Sequence, residues 1–357
     1  MTETRLVEVA GHWLPRIEVA GIPSGLARAV IEAAGSWPNW CRAWSAEAAR
    51  HEALADEALR LNRPVTAGAA YARAALLYHF AQFMFFDDLA QKDAASARKV
   101  AAYRKAAPLL DPPARLLSIP FEGGALKAYF RRPERFSGAL ALLLPGSDST
   151  KEEFPALEAH FLQRGLATVS LDGPGQGEGR AFGGLRADIT TAVQACCAHI
   201  RAELGLSGPI ALVGMAFGGH LALRAAAGVP EISAVVSING FHDLGAMWPA
   251  LPPVYRDNMC YALGASDAEG ARLRAAAFNL AGARPPLVPS LVLHGGQDRI
   301  FPADQAAAQA EWAGARCSAT VFPSGNHVCN NIPHIYRPYV ADWVRESLST
   351  ATGQPPG

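Results

Sequence analysis

From residue 116 to residue 348 the chain alternates short apolar runs with stretches of helical period, and no other feature restricts the fold as strongly. The apolar runs predict strands at 116–121, 126–131, 139–144, 167–171, 210–213, 234–238, 291–294 and 319–322. Between them the spacing predicts helices at 185–204, from a glycine-rich turn to about 227, at 303–313 and at about 334–348. A further helix is expected to end before Gly165, with Ser149 and Glu152 as its capping box. Apolar strands that alternate with helices imply a mostly parallel sheet with helices on both faces. Glu122-Gly123-Gly124 marks a hairpin between the first two strands. Residues 241–286 break the rhythm with helical fragments and no convincing strand, and so predict a helical insertion over the sheet.

The first third reads as helices, at 24–34, 39–61, 66–89 and 94–107, with Thr66 as an N-cap after Pro64. Asp111-Pro112-Pro113 closes that region, because consecutive prolines cannot continue a helix. The expected division is therefore a helical region at 1–113 and an α/β domain at 114–357. Residues 69–86 approach membrane-spanning length, but Arg73, His79 and Gln82 would be costly against lipid, so a buried helix is expected. The opening MTETRLVEVAG is acidic and lacks the apolar core of a secretory signal. Lys+Arg and Asp+Glu balance at 32 each, which argues against nucleic acid or an anionic membrane as partner. The six cysteines have neither metal-type spacing nor the density of a disulfide scaffold, so reduced thiols in a cytoplasmic protein are expected.

Three motifs carry chemistry. The run at 210–213 leads into Gly214-Met215-Ala216-Phe217-Gly218-Gly219 and directly into a helix, which is the G-x-S-x-G nucleophile elbow with alanine in the serine position. Leu291-Val-Leu-His-Gly-Gly-Gln-Asp298 places an acid just past a late strand, where it can hold an imidazole tautomer. Phe322-Pro-Ser-Gly-Asn-His327 places a histidine in the loop after the last strand, able to act as general base and then acid. His294 is expected to be a strand-end packing residue. An oxyanion hole needs two backbone N–H groups. One is expected from Phe217 and the other from the loop Pro145-Gly146-Ser147-Asp148. Asp148 has two readings: it caps the next helix, which Ser149 could also do, or it presents a carboxyl group beside the reacting carbonyl. Asp172-Gly-Pro-Gly-Gln-Gly lacks the pattern of a dinucleotide site, and neither cofactor nor metal is expected.

Leu144-Pro-Gly-Ser-Asp-Ser-Thr-Lys-Glu-Glu153, Asp172-Gly-Pro-Gly-Gln-Gly-Glu178 and Tyr78-His-Phe-Ala-Gln-Phe-Met-Phe-Phe-Asp-Asp88 resemble the 2,6-dihydroxypseudooxynicotine hydrolase family. That family also takes in fungal polyketide-shortening hydrolases and FrsA-like esterases. The resemblance covers most of the chain. It implies an α/β-hydrolase fold with a helical N-terminal cap region that helps close the site and forms a homodimer. It also implies cleavage of a carbon–carbon bond next to a ketone in a small-molecule substrate, by a triad at positions 216, 298 and 327. Asp148 falls at the family's acidic substrate-site position. Tyr71, Tyr78, Gln82 and Phe86 lie near one face at helical spacing, and with His79 they are the candidate substrate contacts from the helical region, although for most of them an ordinary core role is the simpler account.

The departure is Ala216. Retention of Asp298, His327 and the oxyanion loop together favours an engineered Ser→Ala substitution, made to trap a bound substrate, over a native loss of the nucleophile. The alternatives are a carboxylesterase with the same triad and a non-catalytic, ligand-binding relative whose gene itself encodes the alanine.

Overall fold

The computed structural model describes residues 2–352, which divide into two compact units. One comprises the residues up to Leu116 together with Glu152–Ala156, and the other comprises Leu117–Lys151 and the residues from Leu157 onward.

The first unit is helical: α1 (Thr2–Ala20), α2 (Ser24–Ala34), α3 (Trp40–Arg60), α4 (Pro64–Gln82) and α5 (Leu89–Ala106). At its centre is α4, packed against α3 and α5. Every residue from Ala74 to Gln82 is buried, because alanines let the neighbouring helices approach while Tyr78 and Phe80 fill the remaining volume. No helix among the described residues is long and apolar enough to cross a membrane. Trp40 lies between Trp37 and Trp44, with ring centroids 5.3 and 5.1 Å away, and its indole N–H donates to the Phe80 carbonyl at 2.8 Å.

Three expectations for this unit need correction. The helix α1 was not foreseen at all. The helix expected from Thr66 begins at Pro64, which fits the first helical position because its missing N–H would have had no partner there. The same helix stops at Gln82 rather than near residue 89. Phe83 is extended, Met84 has φ 53°, and Lys92 Nζ caps the freed Gln82 carbonyl at 2.6 Å. Asp88 then accepts the Gln91 N–H and opens α5.

The second unit carries the strands β1 (Ala114–Phe121), β2 (Gly124–Arg131), β3 (Leu140–Leu144), β4 (Ala167–Asp172), β5 (Ile210–Met215), β6 (Ile232–Ile238), β7 (Ser290–Gly295) and β8 (Cys317–Phe322). Its helices are α6 (Pro155–Leu162), α7 (Thr190–Leu204), α8 (Phe217–Ala226), α9 (Leu244–Met247), α10 (Pro253–Leu263), α11 (Ala268–Ala275), α12 (Asp304–Ala313) and α13 (Pro333–Thr352). The strands form one sheet in the order β1-β2-β4-β3-β5-β6-β7-β8. β2 runs antiparallel to β4, and β4 through β8 are parallel. β3 and β4 are buried at every residue, which is why they read as unbroken apolar runs. Glu122 and Gly123 both have positive φ, as a two-residue hairpin turn requires, so Gly124 belongs to β2.

The capping box at Ser149 and Glu152 does not form. Glu152 faces Lys99 at 3.4 Å instead, residues 151–153 make a single tight turn, and α6 begins only at Pro155. Likewise α7 starts at Thr190, whose N–H is taken by Asp188, and not near residue 185.

From β3 the chain moves outward to β4, then returns to place β5 on the other side of β3. The loops leaving the carboxyl ends of β3 and β5 therefore diverge at a switch point, where open α/β sheets form their ligand crevice. The motif loops lie at the ends of these strands.

Candidate active site

The elbow forms as its glycines require. Ala216 joins β5 to α8 with φ 50° and ψ −116°, a region that non-glycine residues rarely occupy. A Cβ on Gly214 would collide with the Gly218 carbonyl, and one on Gly218 with the carbonyls of Leu144 and Pro145. Only glycine allows the loop after β3 to pass this close to the elbow. The Ala216 N–H donates to the Ile238 carbonyl at 2.8 Å, tying the elbow to the end of β6.

Asp298, just past β7, and His327, just past β8, meet each other next to Asn239 at the end of β6. His327 Nδ1 lies 2.8 Å from Asp298 Oδ2. The other carboxylate oxygen accepts the N–H groups of Ile300 and Phe301 at 2.8 and 3.0 Å. Burial alone would raise the Asp298 carboxyl, but the charge and hydrogen bond of His327, the Asn239 amide and the Ile300 N–H hold it below the ordinary carboxylate value. An ionised Asp298 can only accept, so the proton in this hydrogen bond is on His327 Nδ1 and Nε2 is the ring nitrogen left over. His294 is kept out of this chemistry: it is buried, with Nε2 hydrogen-bonded to the Phe301 carbonyl at 2.8 Å, and burial lowers its pKa.

The loop after β3, from which an oxyanion donor was expected, lies against position 216. A Cβ built on Gly146 would stand 3.5 Å from the Ala216 Cβ and 3.7 Å from Asp148 Oδ1, which brings Asp148 into the same neighbourhood. Phe217 begins α8, where the first N–H groups have no intrahelical acceptor. Its ring packs edge-on against Phe241 and Phe278 at 5.1 and 4.8 Å. Ser147 turns to α10, accepting from Asn258 Nδ2 at 3.0 Å with the Tyr255 hydroxyl 3.4 Å away. Tyr255 in turn meets Phe301, which meets His327, at centroid distances of 5.7 and 5.4 Å. The segment between β6 and β7 thus supplies one wall of the site.

Two supports in this region escaped the sequence reading. Gln176 Nε2 donates to the carbonyls of Pro145 and Gly146 while its Oε1 accepts the Gly173 N–H. The glycine-rich Asp172–Glu178 segment is therefore a brace for the loop after β3. Lys151 is fully buried, with Nζ 2.7 Å from both Asp172 and Glu178. The Asp172 carboxylate also accepts the backbone N–H groups of Lys151 and Glu178. The other missed residue is Asn239, considered below.

The candidates in the helical unit are engaged within that unit. The Tyr78 hydroxyl donates to Glu52 at 2.7 Å beneath Arg98, and Tyr71 donates to Asp56. His79 is wholly buried, 3.3 Å from Glu153, and Gln82 receives Lys92 at 2.8 Å. Phe86 lies beyond the end of α4, under the Lys92 ammonium at 4.8 Å, so it does not continue the helical face on which it was expected.

A parallel sheet with an elbow after β5, an acid after β7 and a histidine after β8 defines a class, and residues 141–342 match the Alpha/beta hydrolase family. The chain belongs to that family and is a hydrolase by descent. It is 33% identical over 315 residues to the 2,6-dihydropseudooxynicotine hydrolase of Paenarthrobacter nicotinovorans, covering 87% of this chain and 85% of that protein. The crystal structure of 2,6-dihydroxy-pseudo-oxynicotine hydrolase superposes with a TM-score of 0.85 at 30% identity, over 94% of this chain and 96% of that one. The hydrolyase poxO of Penicillium oxalicum is 34% identical over 226 residues, 58% of this chain but only 53% of its own length.

Proposed function

We propose that this protein is built to hydrolyse a carbon–carbon bond next to a ketone through an acyl-enzyme, and that Ala216 marks the loss of its serine nucleophile by substitution. The observation that carries this reading is the intact His327–Asp298 pair beside an elbow still held at φ 50° around a residue with no nucleophilic atom. The similarity to a pseudooxynicotine hydrolase along almost its whole length supports a ketone as substrate.

In the serine form, Oγ at 216 would lose its proton to His327 Nε2 as it attacks the ketone carbonyl. The oxyanion would receive the Phe217 N–H and a second donor from the loop at 145–148. Collapse restores the carbonyl and breaks the carbon–carbon bond. The departing carbanion takes the proton from His327, which demands that its charge be delocalised, as in a hydroxylated ring or a β-diketone. Water then attacks the acyl-enzyme, again through His327, releasing a carboxylic acid. Asp148 is assigned to the substrate side, as a carboxyl that binds a substrate hydroxyl or carbonyl. The resemblance also supports a homodimer, which light scattering in solution would test.

The test is product analysis with Ala216→Ser. An aryl 1,3-diketone should yield a carboxylic acid and a ketone in equal amounts. Cleavage of activated aryl esters with no reaction on the diketone would transfer the protein to the carboxylesterases. A second reading rests on Ala216 itself: a ligand-binding protein on a hydrolase fold, which predicts tight binding of ketones and no turnover even after Ala216→Ser.

A further inference from the structure

We infer that Asn239 is the positioning residue of this site, locking the nucleophile, acid and histidine segments into one geometry. It follows β6 and is buried, with φ 48°, a left-handed conformation that asparagine tolerates better than most side chains. Its backbone N–H donates to the Leu293 carbonyl of β7 at 2.7 Å. The carbonyl just before it, that of Ile238, receives the N–H of Ala216. One end of the side-chain amide donates to Asp298 Oδ2 at 2.8 Å and reaches the Asn326 carbonyl at 3.4 Å. The other end receives the Cys329 thiol at 3.7 Å.

Those contacts span all three catalytic segments. Asp298 Oδ2 is the oxygen that also accepts from His327, so the Asn239 amide fixes the direction of the lone pair left for the imidazole. Asn326 and Cys329 flank His327 in a loop where Val328 and Cys329 themselves have positive φ. A loop bent in this way needs an anchor near the histidine, and the amide supplies it from both sides. Both ends of the amide are committed, which also sets its orientation.

The inference rests on the reading of His327 as the base, but its test need not. In the chain as it stands, with Ala216, the carboxyl of Asp298 can be titrated by carbon NMR. Asn239→Gly keeps the backbone free to adopt positive φ and removes one charge-assisted donor. The Asp298 midpoint should rise by about one pH unit. Asn239→Asp keeps the shape but replaces the donor with a second carboxyl group, so its midpoint should rise further. In the Ala216→Ser background, Asn239→Gly should lower kcat by roughly tenfold to a hundredfold with KM little changed, as expected when a base is displaced by a fraction of an ångström. An Asp298 midpoint that stays put in both variants, with only the melting temperature lowered, would reduce Asn239 to a packing residue and overturn the inference. If Asn239→Gly does not fold, Asn239→Asp alone decides by the same titration. If Ala216→Ser never turns over, the proposed function fails on its own and the titration still judges Asn239.

Discussion

Replacing Ala216 with serine adds a single oxygen atom to a residue whose backbone already holds φ 50° and ψ −116°. The magnitude of the effect can be bounded. Removing the nucleophile of a hydrolytic triad costs about 10⁶ in kcat in a well-studied serine protease, and at 1.36 kcal/mol per decade that is about 8 kcal/mol of transition-state stabilisation. On the proposed reading the base is already oriented, because Asp298 holds His327 Nδ1 at 2.8 Å and leaves Nε2 as the other ring nitrogen. The gain on an aryl 1,3-diketone should therefore reach about 10⁴ to 10⁶ over the alanine form. Stability should change by less than about 1 kcal/mol, since serine and alanine share the backbone strain and differ by one small group. The assay is a side-by-side measurement of kcat for both forms, together with a fluorophosphonate reaction followed by mass analysis of the elbow peptide. A folded Ala216→Ser protein with neither turnover nor an adduct on that peptide would refute the argument that the site lacks only its hydroxyl.

Lys151→Met should destabilise the protein by about 3–5 kcal/mol in urea melts, because Asp172 would be left as a buried carboxylate without its cation. Gly218→Ala should displace the loop after β3, since its Cβ meets the Leu144 and Pro145 carbonyls, costing about 1–3 kcal/mol and most activity of the serine form. Asp148→Asn in that form should lower kcat on the ketone by about tenfold or more with the melting temperature unchanged; an unchanged rate would leave Asp148 a loop residue. Burial keeps His220 neutral down to about 3, whereas the unfolded chain takes up its proton near the ordinary 6.5. Its contribution to stability is therefore full above 6.5 and is lost toward pH 3, at about 1.4 kcal/mol per pH unit. His220→Gln should flatten that part of the stability profile.

The sheet was legible because burial on both faces forces a composition: β3 and β4 could be read as strands from apolar residues alone. Helix ends were not, because each depends on particular side-chain contacts. Whether α4 continues past Gln82 depends on Lys92 reaching back to its last carbonyl, and on Asp88 preferring to open α5. The first is a contact between two helices and the second a polar cap, and apolar periodicity registers neither. Ser149 and Glu152 have the spacing of a capping box, yet Glu152 goes to Lys99. A local pattern lost to a distant charge. Tyr78 and Gln82 share a helical face, but that face meets Glu52 and Lys92, and spacing alone cannot say what a face will meet.

The site divides along a similar line. Ala216, Asp298 and His327 stand out because each follows the carboxyl end of a strand, so position in the chain fixes position in the fold. Asn239 also follows a strand, but its role depends on an amide that reaches two other loops at once, which a single residue type after β6 does not announce. The elbow was readable with alanine at 216 because its shape does not depend on that side chain. Gly214 and Gly218 permit the close approach, and the Ala216 N–H bond to Ile238 holds the turn. A non-glycine residue held at φ 50° costs about 1–3 kcal/mol, which glycine would avoid. Strain kept at a residue with a Cβ is the backbone of a site shaped around a side chain at that position. On the proposed reading that side chain is serine, which is alanine with one oxygen added, at a position 3.5 Å from where a Cβ on Gly146 would stand in the loop after β3.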